Sequence, residues 1–381
     1  MSTKHTNISS SSKKTGKRIL IAAGGTGGHV YPAIAIADEC IANWPDSEIL
    51  FVGTRDNMEW QAVPKAGYNI TDIWVSGFQR QFTKKNLLFP LKLIVSLLQC
   101  IRIVAVFKPD LVITCGGYVS GPVGWIAAIF KKPLFLQEQN SYPGVTNRML
   151  SNKAALIFTA FEDATNHFPA EKVKNVGNPV RATLDNKTKE QSLAAYQFKP
   201  EKPVLLILGG SGGALSINRA LAKHYKTLHD ELDLQIIWQC GPKYYDEFSQ
   251  IVEKEELPQL IIRAFINDMA EAYAATDLVV SRAGALSCTE LMITGTPSIL
   301  VPSPNVAADH QTKNARSMVD KGAAILLPDN EVLGKLSEAV SELIFDAANI
   351  EQMAANARQM ARPEAAQSIV SHIITYLNHT N

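Results

Sequence analysis

His29 closes the run Gly24-Gly25-Thr26-Gly27-Gly28-His29, and an imidazole is the side chain best suited to take a proton at neutral pH. A positioned base of this kind contributes about 10²–10⁴-fold to a rate. The run Gly209-Gly210-Ser211-Gly212-Gly213-Ala214 repeats the same design past the middle of the chain. Glycines let the backbone take left-handed angles and let a ligand approach it closely. A helix amino terminus just beyond them offers free N–H groups and a positive dipole end to an anion such as a diphosphate. The plainer alternative is a pair of tight turns that need glycine for backbone reasons alone. Neither run is a dinucleotide fingerprint, because Val30 stands where a third glycine is required, and neither ends in the Gly-Lys-Ser/Thr of a nucleotide-triphosphate loop.

Further polar groups cluster behind other apolar runs. Ser281-Arg282-Ala283-Gly284-Ala285-Leu286 leads into a helical pattern bearing Glu290. Arg282 suits a forked hydrogen bond to phosphate, and Glu290 suits a ribose hydroxyl. In Asp309-His310-Gln311-Thr312-Lys313-Asn314, adjacent amide, imidazole and carboxylate groups fit the many hydroxyls of a sugar. Gly116-Gly117-Tyr118-Val119-Ser120-Gly121-Pro122 and Gln137-Glu138-Gln139-Asn140 follow two successive apolar runs, where a second substrate would be held. No His, Asp or Glu pair has the spacing of a zinc site and no Asp-x-Asp is present, so neither a metal nor a cofactor is expected.

The elements that must position these groups alternate along the chain. Short apolar runs at 18–23, 48–52, 111–115, 133–136 and 156–159 read as strands, and the rhythm resumes at 203–208, 235–239, 260–264, 278–281, 298–301 and 324–327. Between them run helical patterns such as Val30, Ile34, Ala37, Ile41 and Trp44, or Ile217, Leu221, Tyr225 and Leu228. This is the signature of a parallel α/β sheet covered on both faces. A length of 381 residues exceeds what one core serves. The expectation is therefore two Rossmann-like domains facing across a cleft, divided near Pro179 into residues 18–179 and 180–360. Ligands of such sheets bind beyond the carboxyl ends of the strands, which brings both glycine loops to one cleft.

Charge and cysteine content exclude several classes. The 37 basic and 36 acidic residues nearly cancel, so nucleic acid is not an expected partner. The five cysteines are scattered and never form a Cys-x-x-Cys pair, which suits reduced thiols in a cytoplasm. Residues 1–17 read as a polar, disordered tail instead of a signal peptide. The segment 73–109 carries Arg80, Lys84, Lys85, Lys92, Arg102 and Lys108 and no acid. Its apolar core is interrupted by Pro90, Lys92, Gln99 and Arg102, and falls short of the roughly 20 residues of a membrane span. Apolar surface ringed by basic residues fits a segment lying on an anionic membrane, although a buried helix with a basic end has the same composition.

Taken together, 24–29, 116–122, 138–140, 177–181, 209–213, 265–269, 281–286 and 310–314 closely resemble, in order and spacing, the MurG family of peptidoglycan glycosyltransferases. The resemblance runs from about Arg18 to the carboxyl end. It implies the GT-B glycosyltransferase fold, with a helix at 363–377 returning to the first domain. It also implies inverting transfer of N-acetylglucosamine from its uridine diphosphate donor (UDP-GlcNAc) to the 4-hydroxyl of the muramic acid of lipid I, giving lipid II, at the inner face of the cell membrane. Carried over by position, Arg181, Ser211, Phe265, Ile266, Arg282, Leu286, Glu290, His310 and Gln311 would contact the donor. Ser211 would meet the diphosphate, Ile266 the uracil, Glu290 the ribose, and Gln311 with His310 the sugar. Thr26, Gly27, Tyr118, Asn140 and Asn147 would hold lipid I, with His29 as the base and Glu138 as its alternative. Peripheral membrane attachment and cell-wall synthesis proteins as partners are further implications. Other readings are a GT-B transferase with a different lipid acceptor, a sugar-nucleotide epimerase of the same fold, and a silent UDP-sugar-binding regulator.

Overall fold

The computed structural model describes residues 16–77, 88–180, 184, 186–255, 257 and 259–380. Two parallel sheets form its framework. The first contains β1 (Arg18–Ala22), β2 (Glu48–Gly53), β3 (Asn69–Asp72), β4 (Leu111–Thr114), β5 (Leu134–Glu138), β6 (Leu156–Thr159) and β7 (Val173–Asn175), in the spatial order β3-β2-β1-β4-β5-β6-β7. The second contains β8 (Val204–Leu208), β9 (Gln235–Gln239), β10 (Leu260–Arg263), β11 (Leu278–Ser281), β12 (Ser298–Leu300) and β13 (Ile325–Leu326), ordered β10-β9-β8-β11-β12-β13. The chain reverses its winding between β1 and β4, and again between β8 and β11. These are the switch points where ligands of open α/β sheets bind. The α/β reading of the sequence therefore holds.

The central strands are apolar on both faces because helices cover both. Ile19, Leu20, Ile21 and Ala22 of β1 and Val204 to Ile207 of β8 are fully buried. Beyond β1 runs α1 (Gly27–Asn43), and beyond β2 the short α2 (Glu59–Lys65). The buried face of α1 is Val30, Ala33, Ile36, Ala37 and Cys40, while the expected Ile34, Ile41 and Trp44 lie at its edge, half-buried. Two strands, β3 and β7, were not read from the sequence. Both lie at the edges of their sheet, and in neither is any residue fully buried.

The apolar segment before β4 forms α3 (Phe89–Phe107). Pro90 does not interrupt it, since it stands in the first turn, where a missing N–H costs nothing. Among the described residues this is the one helix long and apolar enough to cross a membrane, contrary to the expectation that the segment falls short. One stripe of it, Ser96, Cys100, Val104 and Phe107, is packed inward. Cys100, Val104 and Phe107 join Leu20 and Val112 in a core cluster. Leu91, Leu93, Ile94, Leu98 and Val106 remain exposed. The basic positions 80, 84 and 85 lie outside the described residues, as does the polar segment 1–15.

After β4 come α4 (Ser120–Ile129), then, in the second sheet's unit, α5 (Leu215–Lys226), α6 (Met269–Ala275), α7 (Ala285–Thr294) and α8 (His310–Val319). The last helix, α9 (Ala365–Thr380), returns to the first sheet's unit. Its Ile369, Val370 and Ile373 are fully buried with Val30, Ala33 and Ala37 of α1. Each such side chain contributes about 1.5–3 kcal/mol, enough together to tie the chain's end to its beginning.

Candidate active site

The described groups singled out above stand at or beyond the carboxyl ends of strands, but the two glycine loops differ. In the first, the Gly25 N–H donates to Glu59 Oε2 at 3.0 Å. Glu59 Oε1 accepts from the Thr54 N–H at 3.0 Å and the Thr54 hydroxyl at 2.7 Å. Glu59, in the first turn of α2, is fully buried. The sequence reading missed it, because a glutamate opening a helix is an ordinary surface residue. Its carboxylate occupies the space beside Gly24, where a Cβ would lie 2.8 Å from Glu59 Oε1.

The second loop has no acid in that place. The Gly209 N–H is held by Gln239, whose Nε2 in turn donates to the Gly210 carbonyl at 3.0 Å. Gly213 has a φ of 76°, and a Cβ there would lie 2.2 Å from the Cys240 carbonyl oxygen. Ser211 and Gly212 at its tip are exposed ahead of α5. This loop is open to an anion.

Around it stand the other donor-side candidates. Phe265 is half-exposed and Ile266 buried, beside a cavity of about 450 Å³ that Tyr196, Arg263, Asp268 and Glu271 also line. Leu286 is half-buried in the first turn of α7, and Glu290 one turn further accepts from the Tyr273 hydroxyl at 3.0 Å. Burial, followed by the adjacent Glu290, holds the Tyr273 hydroxyl well above the ordinary tyrosine range, so it stays a donor. The Gln311 side-chain oxygen accepts from the Ser303 N–H at 2.8 Å. His310 and Gln311 open α8 after two left-handed residues, Ala308 at φ 52° and Asp309 at φ 51°. Such angles cost a side-chain-bearing residue energy and often mark functional loops. Arg181 lies outside the described residues.

Arg282 is placed differently from the forked phosphate contact its position suggests. Its Nη1 donates to Asp329 Oδ1 at 2.5 Å and to the carbonyls of Val301 and Pro302, and its Nη2 donates to Ser216 Oγ at 2.8 Å. Ser216 also donates to Asp329 at 2.5 Å. The guanidinium thus ties β12 to the first turn of α5, and its charge is balanced by a carboxylate 47 residues further on.

On the opposite side, His29 opens into the cleft from the first turn of α1. Its Nδ1 lies 2.9 Å from Gln139 Oε1. Gly116, at φ 95°, makes room for the ring, since a Cβ would lie 2.8 Å from it. Tyr118 is exposed, and its ring lies over Gly77. Thr26 is exposed and Gly27 half-buried at the start of α1. Glu138 is buried with both oxygens engaged: Oε1 accepts from the Asn140 N–H at 3.0 Å and its Nδ2 at 3.2 Å. Oε2 accepts from the Gly144 N–H at 3.0 Å and Asn147 Nδ2 at 2.9 Å. Asn147 is itself buried. The two residues shape the 138–147 loop from within, and of its candidates only Asn140 reaches toward the other sheet.

That reach is reciprocated. Asn314 of α8 accepts from the Ser141 N–H at 2.9 Å and donates to Asn140 Oδ1 at 3.3 Å and to the Ala283 carbonyl at 3.2 Å. Asn178 donates to Thr289 Oγ1 of α7 at 3.0 Å, and Ser317 donates to Asp163. The two sheets therefore face one another with their strand ends around a common cleft. The fold and site define a two-domain glycosyltransferase of the GT-B type.

Residues 19–159 match the glycosyltransferase family 28 N-terminal domain and residues 204–369 its C-terminal domain. The curated relatives include a UDP-N-acetylglucosamine–N-acetylmuramyl-(pentapeptide) pyrophosphoryl-undecaprenol N-acetylglucosamine transferase from Christiangramia forsetii, 43% identical over 96% of this chain and 99% of its own. The same-named protein of Flavobacterium psychrophilum is 45% identical over 94% and 97%. Acinetobacter baumannii MurG, a solved structure, superposes with a TM-score of 0.75 at 30% identity, covering 94% of this chain and 99% of that one. The chain belongs to the MurG family of glycosyltransferases.

Proposed function

We propose that the protein transfers N-acetylglucosamine from UDP-GlcNAc to the 4-hydroxyl of the muramic acid of lipid I, forming lipid II. The reading is supported by family membership and carried by one observation: His29 is held against Gln139 beyond the strand ends of the first sheet, while the Ser211–Gly212 loop stands exposed beyond those of the second. The donor diphosphate lies at Ser211 and the amino terminus of α5, the uracil at Phe265 and Ile266, and the ribose at Glu290. Leu286, His310 and Gln311 complete the donor contacts with Arg181. Thr26, Gly27, Tyr118 and Asn140 meet the acceptor. In one inverting step the acceptor O4 bonds to the anomeric carbon as the bond from that carbon to the diphosphate oxygen breaks. The proton passes to His29 Nε2, and the electron pair leaves with uridine diphosphate. Backbone N–H groups and helix dipoles aimed at the departing oxygens stabilise that charge. Arg282 supports this through Ser216 by fixing the start of α5. Glu138, with both oxygens already accepting, positions Asn140.

The acceptor is a lipid, and the exposed face of α3 suits its membrane. Leu91, Ile94 and Leu98 lie on that face. Lys92 Nζ stands 5.5 Å from the Trp74 ring centroid, beside the same apolar surface. The protein accordingly sits peripherally on the inner face of the membrane, among the proteins of cell-wall synthesis, with its division into units falling after Pro179.

The test is incubation with UDP-GlcNAc, with and without a lipid I analogue, following free uridine diphosphate and the disaccharide product together. Acceptor-dependent release of both establishes the reaction. Tight donor binding without release in the presence of the analogue refutes it.

A further inference from the structure

A file of buried amides runs from His29 across the base of the cleft into the donor side. His29 Nδ1 meets Gln139 Oε1 at 2.9 Å. Gln139 Nε2 donates to Gln137 Oε1, and Gln137 Nε2 donates to Asn178 Oδ1 at 2.9 Å. Asn178 Nδ2 donates to Thr289 Oγ1 at 3.0 Å, and the Thr289 hydroxyl donates to the Ala285 carbonyl, one turn back in α7, at 2.9 Å. Gln137, Gln139, Asn178 and Thr289 are all at most 3% exposed.

The direction of this file is fixed at two places by groups that can only accept. The Cys115 carbonyl takes a bond from Gln139 Nε2 at 2.6 Å, and the Gln139 carbonyl takes one from Asn178 Nδ2 at 3.0 Å. Turning either amide over would set its side-chain oxygen against a backbone carbonyl oxygen, two acceptors with no proton between them, and Gln137 between them must match both. Oε1 of Gln139 is therefore an acceptor, and His29 Nδ1 must carry the proton. The lone pair is left on Nε2, the nitrogen that receives the acceptor's proton. Every N–H and O–H points the same way, an arrangement in which successive bonds polarise one another.

We propose that Gln139 is the positioning residue that holds His29 as the Nδ1–H tautomer, and that Asn178 and Thr289 make this alignment depend on how α7 is seated. The inference rests on the proposed role of His29 as the base. Its consequence is that the same helix that offers Leu286 and Glu290 to the donor also steadies the base across the cleft. Domain docking and base alignment are then one event.

The titratable groups on the surrounding elements do not supply the same restraint. Glu59 on α2 and Glu138 at the end of β5 are committed to their own donors. The Cys115 thiol at the end of β4 is pushed up by burial, and Tyr118 is exposed.

The test uses the full chain, with ¹⁵N-histidine spectra at pH 8 and steady-state kinetics of Gln139→Met, Thr289→Val and the double variant. His29→Ala identifies the His29 signals. We expect the wild type to show Nδ1 protonated, and Gln139→Met to shift the ring toward the Nε2–H form with a kcat loss of about tenfold or more, as befits a general base. The donor KM should stay within about twofold. Thr289→Val, which does not touch His29, should shift the same signals partway and lower kcat less. The double variant should be no slower than Gln139→Met alone, the non-additivity of residues in one network. An unchanged His29 tautomer in both single variants, or multiplicative kinetic losses in the double, overturns the proposal. Should Gln139→Met fail to fold, Thr289→Val alone decides it by the His29 signals. Full activity in His29→Ala instead refutes the base assignment, a result separate from the tautomer readout.

Discussion

Replacing Glu59 by glutamine should loosen the first glycine loop while leaving its packing volume intact. The carboxylate is fully buried and accepts three hydrogen bonds, from Gly25 and twice from Thr54. A glutamine must put its NH₂ against one of these donor sets. The less costly choice faces Gly25, losing one bond to a charged acceptor and leaving a buried N–H unpaired, about 2–3 kcal/mol. For a unit of this size each kcal/mol lowers Tm by about 2–4 °C, so scanning calorimetry should show a loss of about 4–12 °C. Because Gly25 precedes the turn that carries His29, kcat should fall as well, with the donor KM unaffected. A Tm within about 2 °C of the wild type, with unchanged kcat, would refute the claim that this carboxylate holds the loop.

Tyr273→Phe removes the hydroxyl that donates to Glu290, and one net hydrogen bond of about 0.5–1.5 kcal/mol should raise the donor KM roughly 2–10-fold with kcat within about twofold. Ile94→Asp with Leu98→Asp, both on the exposed face of α3, should abolish flotation with vesicles containing phosphatidylglycerol while sparing the melting temperature. Native protein at pH 8 should react slowly with a thiol reagent, because burial pushes Cys40, Cys100 and Cys288 up to about 12 and Cys240 to about 11. Since these values exceed those of unfolded thiols, the associated stability is complete below about pH 8.5 and is lost as pH rises toward 12, which alkaline unfolding monitored by circular dichroism would reveal.

Much of the framework is legible in sequence because strands covered on both faces must be apolar at every position. Leu205 to Leu208 or Leu278 to Val280 cannot be read otherwise than as buried runs, and the glycines after them mark the turns. Asn69–Asp72 and Val173–Asn175 escape this rule, since edge strands bury little and their residues carry no alternation. The site is legible only as residue types at strand ends. What each side chain touches depends on partners far along the chain: Arg282 on Asp329, Gln137 on Asn178, Asn178 on Thr289. No local pattern records that the Arg282 charge is already balanced, or that Glu138 and Asn147 bond to one another.

The repeated glycine loop shows how one local design takes two roles. Both copies follow a central strand, both open a helix, and both require glycine at a left-handed position, Gly25 and Gly213. What separates them is the residue that bonds the loop from a neighbouring element, Glu59 of α2 in the first and Gln239 at the end of β9 in the second. Glu59 brings a negative charge against the first loop's amide, which repels an anion there and spends that N–H on rigidity. Gln239 braces the second loop through neutral bonds, leaving Ser211 and Gly212 exposed ahead of α5. Charge therefore favours an anion at the second loop, in keeping with the proposed diphosphate site. In the first loop, the same turn geometry instead holds the His29 imidazole against Gln139, the arrangement the proposed base requires. A base beside a phosphate would be held protonated by it and would fail at neutral pH. Separating the two loops across a cleft keeps the proposed base apart from the proposed diphosphate site, and the amide file beneath the cleft keeps it aimed.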